Sequence, residues 1–444
     1  MLYSKLRKVS FRVLASVIIS SLMVNAFTSF LPSTRSSSIH AASQTSKATD
    51  TKTYHIVAIG DSVTAGYEHG FTEHAVPYGF VEHVYEQALF HGLRSDYLNY
   101  GLLGLRTAGL KRWMDAVVNG VTVKSSDIQS SLPDPRADRI FAESKLLRSA
   151  LGNADLILMT IGGNDMYAVL EKLEEGAGQA EATAVLNKAL DIYETELEAS
   201  LRLILSLQPK AKIVVADQYL PIPKPVRIGA FVFPLYPEAD RLFLEESVKK
   251  QRERLNEIVG RLTKEGEQVK IANAASAFID NELAYTSIAD GDIHPSKAGY
   301  AAMGKAFAKA IWGDYRAVKP KEDGELVSIV LNGKEMISTN KPLLVQNRTY
   351  VPLRSIAEAM GATILWNAAS RTATVKLENS TVDITVGSDI VRVNGDPKPL
   401  LAPPAFVHTA GKARILYVPL SALSEGLQFQ VVFRETLKTV FINK

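Results

Sequence analysis

Ser62 and His294 are the residues of this 444-residue chain whose types and surroundings best suit joint chemistry. Ser62 ends Gly60-Asp61-Ser62, directly after the apolar run His55-Ile-Val-Ala-Ile59. A serine hydroxyl attacks a carbonyl only when a nearby base takes its proton. Alone, the triplet is ordinary turn composition. Among eight histidines, His40 lies near the N-terminus, His55 opens a strand, and His83 and His91 fall on a helix. His69 and His74 follow Ser62 in a loop, and His408 lies far along the chain. His294 stands apart in Asp290-Gly-Asp292-Ile-His294-Pro295, flanked by carboxylates that can hold an imidazole tautomer and stabilise imidazolium. Three groups can donate to a developing oxyanion. They are the side-chain amide of Asn164 in Gly162-Gly-Asn-Asp165, the backbone N–H of Gly104 in Asn99-Tyr-Gly-Leu-Leu-Gly104, and the N–H of Ser62. Losing one such donor typically costs about 3 to 4 kcal/mol of transition-state stabilisation.

These residues need a scaffold that gathers positions far apart in sequence. Strands are expected at His55–Ile59, Tyr97–Tyr100, Asp155–Ile161, Lys212–Tyr219 and Val269–Ala272. Helices are expected at Tyr78–Leu93, Arg106–Val118, Ala137–Leu151, Ala180–Leu207, Glu238–Lys264 and Ser296–Trp312. Alternating strands and helices predict a parallel sheet covered on both faces, a three-layer, flavodoxin-like α/β arrangement. Ligands of such sheets bind beyond the carboxyl ends of the strands, where all the groups above fall. Val121 to Pro135 reads as an exposed loop. Tyr219 to Pro237, rich in proline and aromatics, reads either as a wall of the substrate site or as a loop packing its own side chains.

Composition narrows the function classes. A net charge of +3 is too small for nucleic acid to be the main partner. The chain has no Cys, which excludes disulfides, thiolate metal sites and a cysteine nucleophile. The Lys of a nucleotide P-loop is missing from Gly60–Gly66. At the N-terminus, Lys5, Arg7, Lys8 and Arg12 precede an uncharged stretch from Val13 to Phe30 and then Ala41-Ala42. This is the pattern of a cleaved secretory signal over 1–42, followed by a polar leader over 43–53. The expected location is extracellular, with association with the cell wall, and no membrane span is expected after cleavage.

Beyond a charged linker at 314–325 the sequence repeats internally. Tyr350-Val-Pro-Leu-Arg and Trp366 of one copy correspond to Tyr417-Val-Pro-Leu-Ser and Phe433 of the next. A strand ending in Asn-Gly precedes each copy, at Asn332-Gly333 and Asn394-Gly395, and Asn-Gly is a strong hairpin signal. Two α+β units sharing one core are expected over 326–444. The Tyr-Val-Pro-Leu-Arg motif, with Ala357-Glu-Ala-Met-Gly-Ala362 and Trp366, resembles the copper amine oxidase N-terminal domain of secreted bacterial proteins. Copper sites want clustered imidazoles or sulfur, and this region holds one His, so a spacer, wall-binding or interaction role is expected instead.

From about Tyr54 to Trp312 the chain resembles the SGNH hydrolases of the GDSL esterase/lipase family. The resemblance rests on Gly60-Asp61-Ser62, Asn99 to Gly104, Gly162-Gly-Asn164-Asp165 and Asp292-Ile-His294-Pro295. It implies a hydrolase domain over 54–313 in which Ser62 is nucleophile, Gly104 and Asn164 complete the oxyanion hole with Ser62, and His294 is the base. The family usually carries its acid three residues before the His, and Gly291 stands there. The Asp-Ile-His-Pro wording of many bacterial members favours Asp292; Asp290 and a backbone carbonyl are the alternatives. The implied activity is a secreted serine esterase that needs no metal or cofactor. Acetyl esters of wall or extracellular polysaccharide are the favoured substrates. The alternative is lipid or lysophospholipid esters, with Phe231, Phe233 and Tyr236 of the aromatic loop binding substrate. A third reading is a wall-binding protein with an inactive hydrolase scaffold.

Overall fold

The computed structural model describes residues 52–72, 75–228, 231–321, 326–346, 348–410 and 413–444. The expected signal and most of the polar leader lie outside them. Among the described residues no helix is long and apolar enough to cross a membrane.

Five strands form one sheet: β1 (Tyr54–Gly60), β2 (Ser95–Gly101), β3 (Leu156–Met159), β4 (Lys212–Ala216) and β5 (Val269–Ala272), in the order β2-β1-β3-β4-β5. From β1 to β5 the neighbours run parallel, with Val57 beside Ile157, Ile157 beside Ile213 and Val214 beside Lys270. The strands at the middle of the sheet are buried almost throughout, which is why they read as continuous apolar runs rather than alternating ones. The principal helices are α1 (Phe80–Phe90), α2 (Thr107–Asn119), α3 (Gln179–Leu207), α4 (Glu238–Lys264) and α5 (Lys297–Trp312). Val57, Ile59, Ile157 and Ile213 of the sheet pack with Trp113 of α2, Leu201 of α3 and Leu255 of α4 in one core. Trp113 meets Phe141 edge to face at 5.0 Å. The fold is the three-layer α/β arrangement expected.

The elements depart from expectation in three places. The helix expected over Ala137–Leu151 is two, Ala137–Ala142 and Ser144–Gly152. The Ser144 hydroxyl donates to the Phe141 carbonyl at 2.6 Å, and such local bonds compete with the helical ladder. After β3, the Gly163–Met166 turn runs into an additional helix, Tyr167–Glu174. Val121 to Pro135 is not simply exposed: it contains a short helix, Ser125–Ile128, with Ile128 buried, and its Asp134 is buried as well.

Two compact units are present. The first comprises Tyr54–Tyr85 and Asp96–Tyr315; the second comprises Arg316–Lys444 together with Glu86–Ser95. In the second, strand-rich unit the motif strands of the two repeats, Arg348–Pro352 and Ala413–Pro419, pair antiparallel with Val351 opposite Val418. Helices Leu353–Ala359 and Leu420–Leu427 follow Pro352 and Pro419. Both Asn-Gly turns have positive φ at each residue (44° and 76°; 55° and 92°), as a two-residue hairpin turn of the I′ type demands. Val351, Ile356 and Val375 of the first copy share one core with Val418, Leu423 and Val440 of the second.

Candidate active site

Ser62 sits in a tight turn immediately after β1. The Asp61 N–H donates to the Thr160 carbonyl at 3.0 Å, and the Ala65 and Tyr67 N–H groups return to the carbonyls of Asp61 and Ser62 at 3.0 Å each. Gly60 makes this possible. Its φ is +151°, and a Cβ there would lie 2.1 Å from the Thr160 oxygen, so any side chain would push β1 away from the end of β3.

His294 arrives from the loop between β5 and α5. Its Nε2 lies 2.8 Å from Ser62 Oγ, and its Nδ1 lies 2.5 Å from Asp292 Oδ1. The same Oδ1 accepts the His294 backbone N–H at 2.9 Å. Ser62, Asp292 and His294 are all buried, while Asp290 is exposed. The turn Ile288–Asp290 closes on Gly291, whose φ of +78° redirects the backbone so that Asp292, two residues before the His, reaches back to the imidazole. The Tyr67 ring packs on the other side, 4.4 Å from the His294 ring. Burial pushes the Asp292 carboxyl up, but the hydrogen bond and charge of His294, its backbone N–H and His69 outweigh that and hold it below the usual range.

Asn164 lies on the Gly163–Met166 turn and lines the same pocket as Ser62 and His294. Its side-chain amide donates to the Leu105 carbonyl at 3.0 Å, which ties it to the turn that carries Gly104. That glycine has φ +79°, and a Cβ would meet Pro133 Cδ at 2.5 Å. The N–H groups of Gly104 and Ser62 are buried and have no acceptor among the described residues. Buried backbone donors without a partner are rare, and such N–H groups can receive a negatively charged oxygen.

Groups that no motif announced hold these turns in place. Asp134 accepts the Leu103 N–H at 2.8 Å and pairs with Arg136 at 2.7 Å, and the Arg136 guanidinium also donates to the Gly101 carbonyl. Gln129 donates to the Gly104 carbonyl and accepts the Arg106 N–H. Gln251 of α4 donates to the Gly162 carbonyl at 3.0 Å. The Asp165 carboxylate caps the first turn of α2 through the N–H and hydroxyl of Thr107. Asp61, buried in the turn that carries Ser62, accepts from the Thr160 hydroxyl at 2.7 Å and the Val63 N–H at 3.1 Å. Burial pushes its carboxyl up to about 6, although these hydrogen bonds and the charge of His294 oppose the rise.

Beside Ser62 opens a pocket whose walls are mostly apolar. Met166 and Leu170 close one side, Leu220 and Ile222 another, and Leu244 and Val248 of α4 a third. The Tyr219–Pro237 loop therefore contributes a wall, and Tyr236 is part of it. Phe233 is not. It belongs to a two-stranded hairpin, Val226–Ile228 with Phe231–Phe233, and is about half exposed. The side chain of Phe231 lies outside the described residues.

Residues 58–302, more than half of the chain, match the GDSL-like Lipase/Acylhydrolase family. The fold and the match define an ester-hydrolysing enzyme. The chain belongs to that family, and its residues 330–442 match the copper amine oxidase N-terminal domain. Similar solved structures include a lipase from a goat rumen metagenome (20% identity, TM-score 0.39, 60% of this chain and 100% of that one). They also include a family 3 carbohydrate esterase of Clostridium thermocellum (19%, 0.34, 58% and 95%) and an acetylxylan esterase of Geobacillus stearothermophilus (18%, 0.36, 61% and 100%). No curated protein matches the chain.

Proposed function

We propose that the enzyme is a serine esterase working through an acyl-enzyme at Ser62. The observation that carries this reading is the unbroken relay from Ser62 Oγ through His294 to Asp292, at 2.8 and 2.5 Å. As Ser62 Oγ attacks the ester carbonyl, His294 Nε2 takes its proton and Asp292 stabilises the imidazolium. The N–H groups of Ser62 and Gly104 and the Asn164 amide hold the oxyanion. Collapse breaks the ester C–O bond, and the leaving alkoxide takes the proton from His294. Water then attacks the acyl-enzyme by the same route and releases the carboxylic acid and free Ser62.

Of the two acyl classes the sequence admits, the pocket supports the longer. An acetyl group has no use for walls made by Met166, Leu170, Leu220, Ile222, Leu244 and Val248. Each methylene buried there contributes about 0.8 kcal/mol, or roughly fourfold in kcat/KM. A p-nitrophenyl ester series from acetate to palmitate tests both parts. The expected profile rises from acetate to a medium-chain optimum, and Ser62→Ala lowers turnover at least about 10³-fold with unchanged circular dichroism. A peak at acetate restores the polysaccharide deacetylase reading. Turnover by Ser62→Ala removes Ser62 as nucleophile, and a folded but inert parent leaves the inactive-scaffold reading.

Export and attachment to a cell-wall polymer through residues 326–444 complete the proposal. They are supported by the signal-like N-terminus and the resemblance of the C-terminal repeats to a domain of secreted proteins.

A further inference from the structure

A second histidine faces the acid of the site. Asp292 uses Oδ1 for both of its hydrogen bonds to His294. Its Oδ2 is buried and makes no hydrogen bond among the described residues, a condition that ordinarily destabilises a fold. The group facing Oδ2 is Nδ1 of His69, 3.4 Å away, on a ring whose side chain is 51% exposed. His69 belongs to the segment that returns from the nucleophile turn. That segment is fixed by the Tyr67 N–H on the Ser62 carbonyl at 3.0 Å, by the Tyr300 hydroxyl on the Tyr67 carbonyl at 2.6 Å, and by the Tyr67 ring on His294. His69 is thus held beside the one oxygen of the relay that lacks a donor, with its outer edge in solvent.

We propose that His69 is a positioning residue for Asp292: it donates to Oδ2 and thereby lowers the pH below which His294 becomes protonated and the esterase stops. The inference rests on the reading of Ser62, His294 and Asp292 given above. A donor on Oδ2 weakens the pull of the carboxylate on an imidazolium, and a protonated His69 adds a like charge across the same carboxylate. Both effects oppose protonation of His294 and extend activity toward acid. The other titratable or charged groups around the relay are Asp61 from the nucleophile turn, Tyr67 and Glu68 from the returning segment, Tyr219 after β4, Asp290 from the last loop, and Lys297 and Tyr300 from α5. Of these, Asp61, Glu68 and Asp290 are acids, and the one cation, Lys297, acts on Glu68; His69 is the cationic side chain that faces Oδ2.

The test is the pH dependence of kcat/KM for the parent, His69→Ala, His69→Gln and, as a control, Asp292→Asn. In His69→Ala the acid limb moves upward by about 0.5 pH unit or more. His69→Gln, which keeps a donor without a titrating charge, restores the plateau and shows a smaller displacement. A limb that stays in place in both variants overturns the proposal. So does a uniform loss of rate or melting temperature without displacement, because that outcome describes packing alone. If Asp292→Asn stays within twofold of the parent at every pH, the reading of the site itself fails, and that result is distinct from a failure of His69.

Discussion

The chemistry turns on single side chains, and those with local motifs were readable before any fold was known. Ser62, Asn164 and His294 each follow a strand, within a few residues of glycine, and the structure brings the three to one pocket. The acid was ambiguous because Gly291 occupies the expected position; only the positive φ at Gly291 shows why Asp292 reaches the imidazole. Asp134 and Gln251 had no legible signal, since each acts on a distant backbone and sits in unremarkable sequence; His69 was visible only as one of two loop histidines after Ser62. Asp61 yields a stability prediction. Its carboxyl is near 6 in the fold against an ordinary value of 3.8, so the folded state favours the protonated form. This group therefore stabilises most below about pH 4, and its contribution falls as pH rises toward 6 and stays low above that. Asp61→Asn keeps an oxygen acceptor for Thr160 and Val63 without the buried charge. Relative to the parent, it is expected to gain about 2 to 3 kcal/mol at pH 7 and nothing at pH 4. Equal denaturant midpoint shifts at both pH values contradict it.

Periodicity and turn chemistry located five of the six expected helices to within a few residues and all five strands of the main sheet, because buried strands and amphipathic helices leave strong patterns. Tyr167–Glu174 escaped notice because it begins just behind Gly162-Gly-Asn-Asp165, a stretch that reads as pure turn. Yet this helix and the turn before it supply Met166, Leu170 and Glu174 to the pocket wall. Leu170→Trp fills that space without touching Ser62, His294 or Asn164. It is expected to shift the optimum of the ester series toward shorter acyl chains by two or more carbons while acetate turnover stays within about threefold. An unchanged profile means that the acyl chain lies elsewhere. In the hairpin Val226–Ile228/Phe231–Phe233, by contrast, the sequence offered aromatics as substrate contacts, and Phe233 lies about half exposed and outside the lining of the pocket beside Ser62.

For the molecule as a whole, the proposed division into a hydrolase over 54–313 and a wall-binding part over 326–444 predicts separable properties. The full chain is expected to co-sediment with purified cell walls. A chain ended at Gly313 should hydrolyse esters but remain in the supernatant, and should melt lower than the parent, since Glu86–Ser95 clusters with Arg316–Lys444. A full chain left in the supernatant removes the wall-binding role, and an inactive fragment removes the boundary. The distance between nucleophile and base along the chain has a consequence in time. Ser62 and His294 are 232 residues apart, and at about 5 to 20 residues per second synthesis of the interval takes roughly 10 to 50 s. For all that time the nascent protein carries its serine as an inert alcohol. In the proposed mechanism the last strand of the main sheet and the loop behind it complete the site, so Ser62 stays unactivated until His294 has been made and folded into place.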